Sequence, residues 1–560
     1  MADKLKIKGS GIAILALYSA IALLFIFPVL HGKSLIYGGD MLYHLRRINE
    51  LSIDIKHGNL YPYLYAYDFK NFLFPGGIFY PQITLLPFSI LKVFFGGYFI
   101  PIIFGWWFYT LITLLNTHLV VYRYSGNLLQ AIFSSVIYSF LTYRAIDVWH
   151  RFALGEALSM CFLPLVIYGI YSIVYGNDRE WPFLSIGLGF TIFSHVLSTY
   201  LDVIFCIIIC ILGFRNALTR GLKPKIFALL KSIFLFFGIS AIFLIPFINQ
   251  IVSQKFTSAP LLDLSSSTPT LSTYLLSSVN NTLLQTSNSV YNPGIVSLIT
   301  ICLGVLMFKK INYEDRAMLI LSIIIIFGVT SIFPWFIFNG IGPVSIIQFS
   351  FRLLIFPTFI LAVLGGKLLS ILTVRKGLVI KLLVILLLIV PYISSMHEYS
   401  SVIGRYTDKT LDVLLEKGEY ISYYTDQYIP KKGISSYTDV IKHKGQINDK
   451  NVSLNKFEKQ SDKIIFKDIT LNKGSKIIIP IYYLKNMSVS VSNTKQKIES
   501  TSNGLIRFTS SVNGDSISIS YDPSIFDRLG MVISIVTIGS IIVVTLYKST
   551  RYELKQIGRL

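Results

Sequence analysis

Charge is scarce in this sequence. Only 14 % of its 560 residues are Asp, Glu, Lys or Arg, where soluble domains carry roughly a quarter. Cysteine is scarcer still, with Cys161, Cys206, Cys210 and Cys302 all inside apolar runs. Cys206 and Cys210 lack the paired spacing and flanking His of a zinc site. The stretches expected outside the membrane hold no cysteine, so no disulfide framework is expected, which fits a bacterial cell envelope. No G-x-x-x-x-G-K-[ST] is present, which removes support for a nucleotide-driven transporter. H-E-x-x-H is absent as well, against a zincin-type protease, and neither G-x-S-x-G nor a Ser/His/Asp order stands out. Acidic side chains are outnumbered, 29 against 50 Lys and Arg, for a net charge of +21. Nucleic acid is still not an expected partner, because no basic module interleaved with aromatics occurs and cytoplasmic loops of membrane proteins collect Lys and Arg.

What is abundant is apolar surface: 53 % of residues are hydrophobic and the mean hydropathy is +0.62. Runs of about 20 apolar residues recur, each long enough to cross a hydrocarbon core. The expected fold is an α-helical polytopic membrane protein with about 12 transmembrane helices and a C-terminal extracytoplasmic β-domain. Lys4, Lys6 and Lys8 place the N-terminus in the cytoplasm. The first apolar run is too long for a signal-peptide core and no small-residue cleavage site follows, so it reads as a retained span over about 12–30. Inner loops then carry Arg123, then Arg215, Arg220, Lys223 and Lys225, then Lys309, Lys310 and Arg316, then Arg375, Lys376 and Lys381. A last span near 529–547 leads to a tail with Lys548, Arg551, Lys555 and Arg559, so both termini are expected inside.

Three regions follow from this. Residues 1–398 form a transmembrane domain with a large first outer loop, 31–98. Residues 399–527 read as an outer β-rich domain, since "DKIIFKDITL", "SKIIIPIYYL", "MSVSVSN", "LIRFTSS" and "DSISISYD" alternate apolar and polar residues. Residues 528–560 hold the last span and the basic tail. Within the first outer loop, 40–57 reads as a helix ended by Gly58. "FYPQITLLPFSILKVFFGG" reads as a helix lying at the outer interface. "PFLSIGLGFTIFSHVLSTYLDVIFCIIICILGF" is too long for one untilted helix and reads as two shorter spans meeting at Ser194-His195.

The candidate site residues fall on the outer face. Asp40, His44 and Arg47, spaced i, i+4, i+7 in "GGDMLYHLRRINEL", share one side of a helix. The same pattern also describes an amphipathic helix whose arginines meet lipid headgroups. "YRAIDVWHRFALGEAL" puts Arg144, Asp147, Arg151 and Glu156 in one short outer loop, where charge is costly unless paired or used. Intraloop salt bridging is the plainer reading of it. His195 lies at the break in the long apolar run, and Gln348 and Arg352 open a later span, where Arg352 can also snorkel to headgroups. A carboxylate suits general-base work on a hydroxyl. Arginines suit a phosphate, gripped by paired hydrogen bonds.

"GGDMLYHLRRI", "FPGGIFYPQITLLPFSILKVFFG", "YRAIDVWHRFALGEALSMCFLPLVIYGIY", "FSHVLST" and "IQFSFRLL" together resemble the bacterial YfhO-like membrane proteins of the GT-C glycosyltransferase superfamily. The resemblance implies a polyprenyl-phosphate sugar as donor and transfer, with inversion, to an extracytoplasmic acceptor: a cell-wall polymer such as teichoic acid, a glycolipid or another glycan. It places the reaction on the outer face of the plasma membrane. It implies that Asp40 is the acceptor's base, that a second acidic residue is either Asp147 or Glu156, and that His44, Arg47, Arg144, Arg151, His195, Gln348 and Arg352 bind donor or acceptor. The superfamily's two-carboxylate metal motif is not clearly present, so a divalent cation (Mg or Mn) is left open. A transporter or flippase for a lipid-linked glycan would line a path with the same arginines. A non-catalytic envelope assembly protein would tolerate loss of Asp40.

Overall fold

The computed structural model describes residues 2–557 apart from 71, 220, 259–262, 286–289 and 418–426. The inner-loop Arg220 and the tail's Arg559 lie outside the described residues. Among the described residues, six helices are long and apolar enough to cross a membrane. They are α1 (Ala2–Ile26, continuing to Val29), α4 (Phe99–Ser125), α10 (Leu222–Ser253), α13 (Ile355–Thr373), α14 (Leu378–Val402) and the last helix α16 (Ile525–Ile557). Interleaved with these are α5 (Leu128–Phe140), the short α6 (Leu154–Ser159), α7 (Leu163–Val174), α8 (Pro182–Ile192), α9 (Val196–Leu212), α11 (Ile295–Leu306) and α12 (Tyr313–Gly328), and α15 (Asp408–Lys417) follows α14. Apolar side chains stay exposed on the outside of these helices, with Phe234 at 83 % and Leu306 at 81 %. A protein in water would bury them; a lipid-facing surface does not need to. The chain is a multi-pass membrane protein.

About twelve spans are expected from the sequence; among the described residues six helices have spanning length, and shorter apolar helices lie between them. The apolar run 128–143 is helical only to Phe140, because Leu141 turns extended. The apolar run 157–174 has its long helix only from Leu163. The break at His195 is present: this residue is extended and its imidazole accepts the Ser198 amide, capping α9. The result is a set of helices shorter than a full span between the long ones.

The first loop holds α2 (Met41–Lys56), inside the stretch read as a helix, and α3 (Leu86–Phe95). Leu45, Ile48 and Leu51 recur at helical spacing and are buried. Gly58, at φ +85°, takes the left-handed turn that ends α2. The loop beyond α2 is tied back to it by Glu50, which accepts the amides of Ala66, Tyr67 and Asp68.

Strand β1 (Ser34–Ile36) pairs antiparallel with β2 (Arg405–Thr407), so the chain leaving α1 is stitched to the start of the C-terminal region. The strands that follow are β3 (Lys444–Ile447), β4 (Lys450–Ser453), β5 (Phe457–Gln460), β6 (Lys463–Phe466), β7 (Lys476–Tyr482), β8 (Met487–Val491), β9 (Thr494–Gln496), β10 (Ile498–Ser500), β11 (Leu505–Thr509) and β12 (Ile517–Tyr521). They form two five-stranded antiparallel sheets, ordered β10-β11-β7-β3-β4 and β5-β6-β12-β8-β9. The period-two residues Ile464, Phe466, Ile477, Ile479, Val489, Val491, Ile517 and Ile519 are buried between them. The same hydrophobic cluster takes in Tyr43, Tyr63–Ala66, Phe69, Phe72–Phe74, Ile78 and Phe79 of the first loop. The β-domain is therefore built onto the loop that carries α2. The last helix lies along α10, where Ser534 Oγ accepts the Ile242 amide at 2.8 Å.

Candidate functional site

Two loops far apart in the chain are joined by their backbones. The Gly39 amide donates to the His150 carbonyl at 2.9 Å, and the Asp40 amide to the Arg151 carbonyl at 2.8 Å. This approach needs Gly38: a Cβ there would lie 2.6 Å from Phe152 Cβ and 2.8 Å from the Trp149 carbonyl oxygen. Gly38→Ala should therefore push the strap off the second loop and lower stability by about 1–3 kcal/mol, the usual range for overpacking. Thermal unfolding in detergent checks this, and an unchanged transition would refute the strap. Phe152 itself sits at φ +50° and Gln348 at φ +66°. Left-handed backbone at non-glycine residues costs about 1–3 kcal/mol each and gathers at functional sites.

Behind the strap is a buried ion network. Arg151 is paired with Asp147, four residues earlier, and with Glu156 Oε2 at 2.9 Å. Arg352 Nε reaches the same Glu156 oxygen at 3.2 Å, and the Tyr143 hydroxyl donates to Glu156 Oε1 at 2.8 Å. Burial alone would raise the Glu156 pKa, but Arg151 and Arg352 outweigh it and hold the carboxyl down to about 2. Asp147, equally buried and facing the charge of Glu156, is pushed up. Aromatic rings close over the guanidiniums: Arg151 lies 5.0 Å from the Phe351 ring and Arg352 lies 5.2 Å from that of Phe349. Gln348 accepts from Arg352.

The α2 side of the site is built differently. Arg47 is 1 % exposed, yet no carboxylate pairs with it among the described residues. Its partners include the carbonyls of Tyr80 (3.2 Å) and Pro81, the His44 Nδ1 at 3.5 Å, the Tyr65 side chain, and the rings of Tyr80 at 3.9 Å and Tyr43 at 5.9 Å. Its Nε has no hydrogen-bond partner. His44 is kept neutral first by burial and then by Arg47. The Tyr80 ring stands between His44, at 5.9 Å, and His195, at 6.1 Å. The His195 imidazole lies within electrostatic reach of Arg352, Glu156, Arg151 and Arg47. Tyr80 in turn feels Asp40 and Arg352, and Tyr291 feels Arg151, Asp147, Asp40 and Glu156.

Nine of the ten residues singled out in the sequence thus converge: Asp40, His44, Arg47, Asp147, Arg151, Glu156, His195, Gln348 and Arg352. Arg144 does not join them. Its guanidinium donates to the Ser139 carbonyl at 2.8 Å and to Thr110 Oγ1 at 3.2 Å, and packs 4.7 Å from the Phe25 ring. It ties the second loop to α4 and α1, away from the cluster. Sequence reasoning missed Tyr80, Tyr143 and Tyr291. Their only signal was the abundance of tyrosine in these loops, which does not say which ring faces a charge.

The carboxylates do not suit a divalent ion. Asp147 and Glu156 are already balanced by Arg151 and Arg352, and a cation between them would sit against two guanidiniums. Among the described residues no group of three His, Cys, Asp or Glu is placed to hold a metal.

No family model matches the chain, and no curated protein matches its sequence. Solved structures resemble it in part, two of them as follows. One is the arabinofuranosyltransferase AftD from Mycobacteria, at 13 % identity and a TM-score of 0.39, covering 69 % of this chain and 26 % of that one. The other is the oligosaccharyltransferase of Archaeoglobus fulgidus in its apo form, at 12 % identity and a TM-score of 0.42, covering 75 % of this chain and 60 % of that one. The chain thus spans less than two thirds of either. Neither likeness bears on chemistry, which has to be read from the side chains themselves.

Proposed function

We propose that the chain is a membrane glycosyltransferase that moves a sugar from a polyprenyl-phosphate donor to an extracytoplasmic acceptor, with inversion. The observation that carries this reading is Arg47. A buried guanidinium without a carboxylate partner is costly; the Tyr80 and Pro81 carbonyls and the side chains of Tyr43, Tyr65 and Tyr80 offset that cost and keep the charge in place for an anion. A phosphate fits the fork of an arginine. Arg47, His44 and Arg352 surround Tyr80, and Asp40 stands next to them, half-buried on its glycine strap.

In this reading Asp40 takes the proton of the acceptor hydroxyl as its oxygen attacks the anomeric carbon. The bond from that carbon to the phosphate oxygen breaks, and the electron pair leaves on the polyprenyl phosphate. Arg47 and Arg352 stabilise the added negative charge. Arg151, Asp147 and Glu156 hold Arg352 and the strap in place rather than touching the donor. The bilayer presents the lipid, and the Lys and Arg of the inner loops support an outer-face site with both termini in the cytoplasm. The motif resemblance to the GT-C superfamily supports the donor class.

The test is transfer from a labelled polyprenyl-phosphate sugar. Asp40→Asn should lower turnover by about 10²–10⁴-fold, the usual contribution of a general base, with unfolding unchanged. Full turnover in a folded variant would remove Asp40 from the base role. Movement of the intact lipid-linked glycan across vesicles, without transfer, would favour the flippase reading instead.

A further inference from the structure

Between the end of α12 and the start of α13 the chain makes an uncharged loop. No Asp, Glu, Lys, Arg or His occurs from Ser331 to Ser350. The two ends of the loop are pinned together. Ser350 Oγ donates to the Val329 carbonyl at 3.2 Å, and the Trp335 indole donates to the Gly328 carbonyl at 2.7 Å. The helical stretch that begins at Ser350 and continues through α13 has spanning length, so the loop lies where the chain enters the bilayer. Its apolar side chains face outward: Phe336 is 65 % and Ile337 62 % exposed, and Ile332 and Ile341 are exposed as well. Its backbone, in contrast, is closed on itself. The amides of Ile337, Asn339, Ile341, Val344, Ile346 and Gln348 each donate to a carbonyl three or four residues earlier. The Ser331 amide donates to the Pro269 carbonyl at 2.9 Å, which sets the loop beside the helix Leu271–Val279, where Leu276 and Val279 are exposed. One edge is polar: the Asn339 side chain stands beside the exposed Asp263, and Ser266 is exposed nearby.

We propose that this loop and the helix Leu271–Val279 form an interfacial platform, whose exposed apolar side chains dip into the headgroup–acyl boundary of the bilayer at the Arg352 end of α13. Grouped exposed apolar side chains mark a contact with a protein or a membrane. Three features favour the lipid surface. The platform adjoins the entry of a span, so the bilayer is already beside it. The loop carries no charge, so no ionic group has to be desolvated on insertion. Its amides are satisfied within the loop, which a backbone needs where water is scarce. The consequence reaches the candidate site. Arg352 Nη1 donates to the Ile347 carbonyl at 3.1 Å, so the last turn of the platform holds the guanidinium, and the depth of the platform sets the depth of Arg352. Without Lys or Arg in the loop, the contact gains nothing from anionic lipid. It also does not depend on the glycosyltransferase reading.

The experiment uses the full-length protein in phosphatidylcholine nanodiscs, with Cys210→Ser and Cys302→Ser removing the two cysteines that are not buried. A nitroxide is attached through Ile337→Cys and, in a second sample, through Ser266→Cys on the polar edge. Collisions with O₂, which concentrates in hydrocarbon, are compared with collisions with a water-soluble Ni²⁺ chelate. The label at 337 is expected to favour O₂, at a depth of about 5–10 Å into the boundary, and the label at 266 to favour the chelate. Adding anionic phosphatidylglycerol should leave the depth unchanged. Ile341→Cys gives the same readout should the first label disturb the loop. Equal access of the chelate to 337 and 266 puts the loop in water and overturns the proposal. So does a label at 337 shielded from both reagents, since a second copy or another protein then covers it. Insertion that requires anionic lipid overturns it as well.

Discussion

Glu156→Ala should destabilise the protein more than any other single change in the site, by about 3–5 kcal/mol. One buried carboxylate holds Arg151, Arg352 and the Tyr143 hydroxyl. Among the described residues, removing it leaves Arg352 without an acidic partner and leaves Asp147 alone to balance Arg151. The expected result is a large fall in unfolding temperature and loss of transfer together, because Arg352 also loses its orientation. The same residue sets an acid limit. Its folded pKa, about 2, lies below the unfolded value of about 4.3. Its contribution is therefore complete above the unfolded value and is lost as the pH falls toward 2. A wild type that unfolds with the same acid midpoint as the Glu156→Ala variant would contradict this. Glu156→Gln, which retains the hydrogen bond from Tyr143, should fall between the two.

Arg47→Met should separate activity from stability in the opposite way. The substitution removes a buried cation that has no carboxylate partner and replaces it with apolar volume. The carbonyls of Tyr80 and Pro81 lose their donor, which offsets part of the relief. The unfolding temperature should therefore stay near that of wild type. Transfer should drop by about 10²–10³-fold, the cost of deleting one pre-set donor to a developing charge. Arg47→Lys keeps the charge but loses the fork, and should recover only part of the rate. Should Arg47→Met unfold as early as Glu156→Ala, the guanidinium is a structural strut and not an anion site. The contrast between these two arginine-linked variants is thus the most direct way to tell network from ligand contact.

Much of this arrangement was legible beforehand. The spacing of Asp40, His44 and Arg47 marks one side of α2, and in the folded chain Asp40 precedes the helix while His44 and Arg47 lie on it as neighbours. The alternation in "SKIIIPIYYL" and "DSISISYD" marks β7 and β12, because a sheet buried on one face must alternate. The short strands β4, β5, β9 and β10 were not legible, since edge strands of three or four polar residues carry little pattern. Arg144 shows the opposite failure. Its place in a charged loop suggested the same role as Arg151, but seven residues along an irregular turn with a π-helical segment point it to Ser139, Thr110 and Phe25 instead.

The amino-acid sequence by itself determined the membrane class, the helix that carries His44 and Arg47, the break at His195 and the β-rich region, because each depends on periodicity or composition within a short window. Only the tertiary structure decided which charges balance each other. Asp147 and Glu156 were interchangeable candidates in the sequence, and in the fold both are engaged by Arg151, while Arg352, almost two hundred residues further on, selects Glu156 alone. Arg47 ends without a carboxylate although Glu50 is three residues away, because Glu50 is turned to the amides of Ala66, Tyr67 and Asp68. Such pairings rest on the direction of a few side chains and on a backbone contact that Gly38 permits. Electrostatic energy depends on separations of a few ångströms between groups distant in the chain, and no local pattern encodes those.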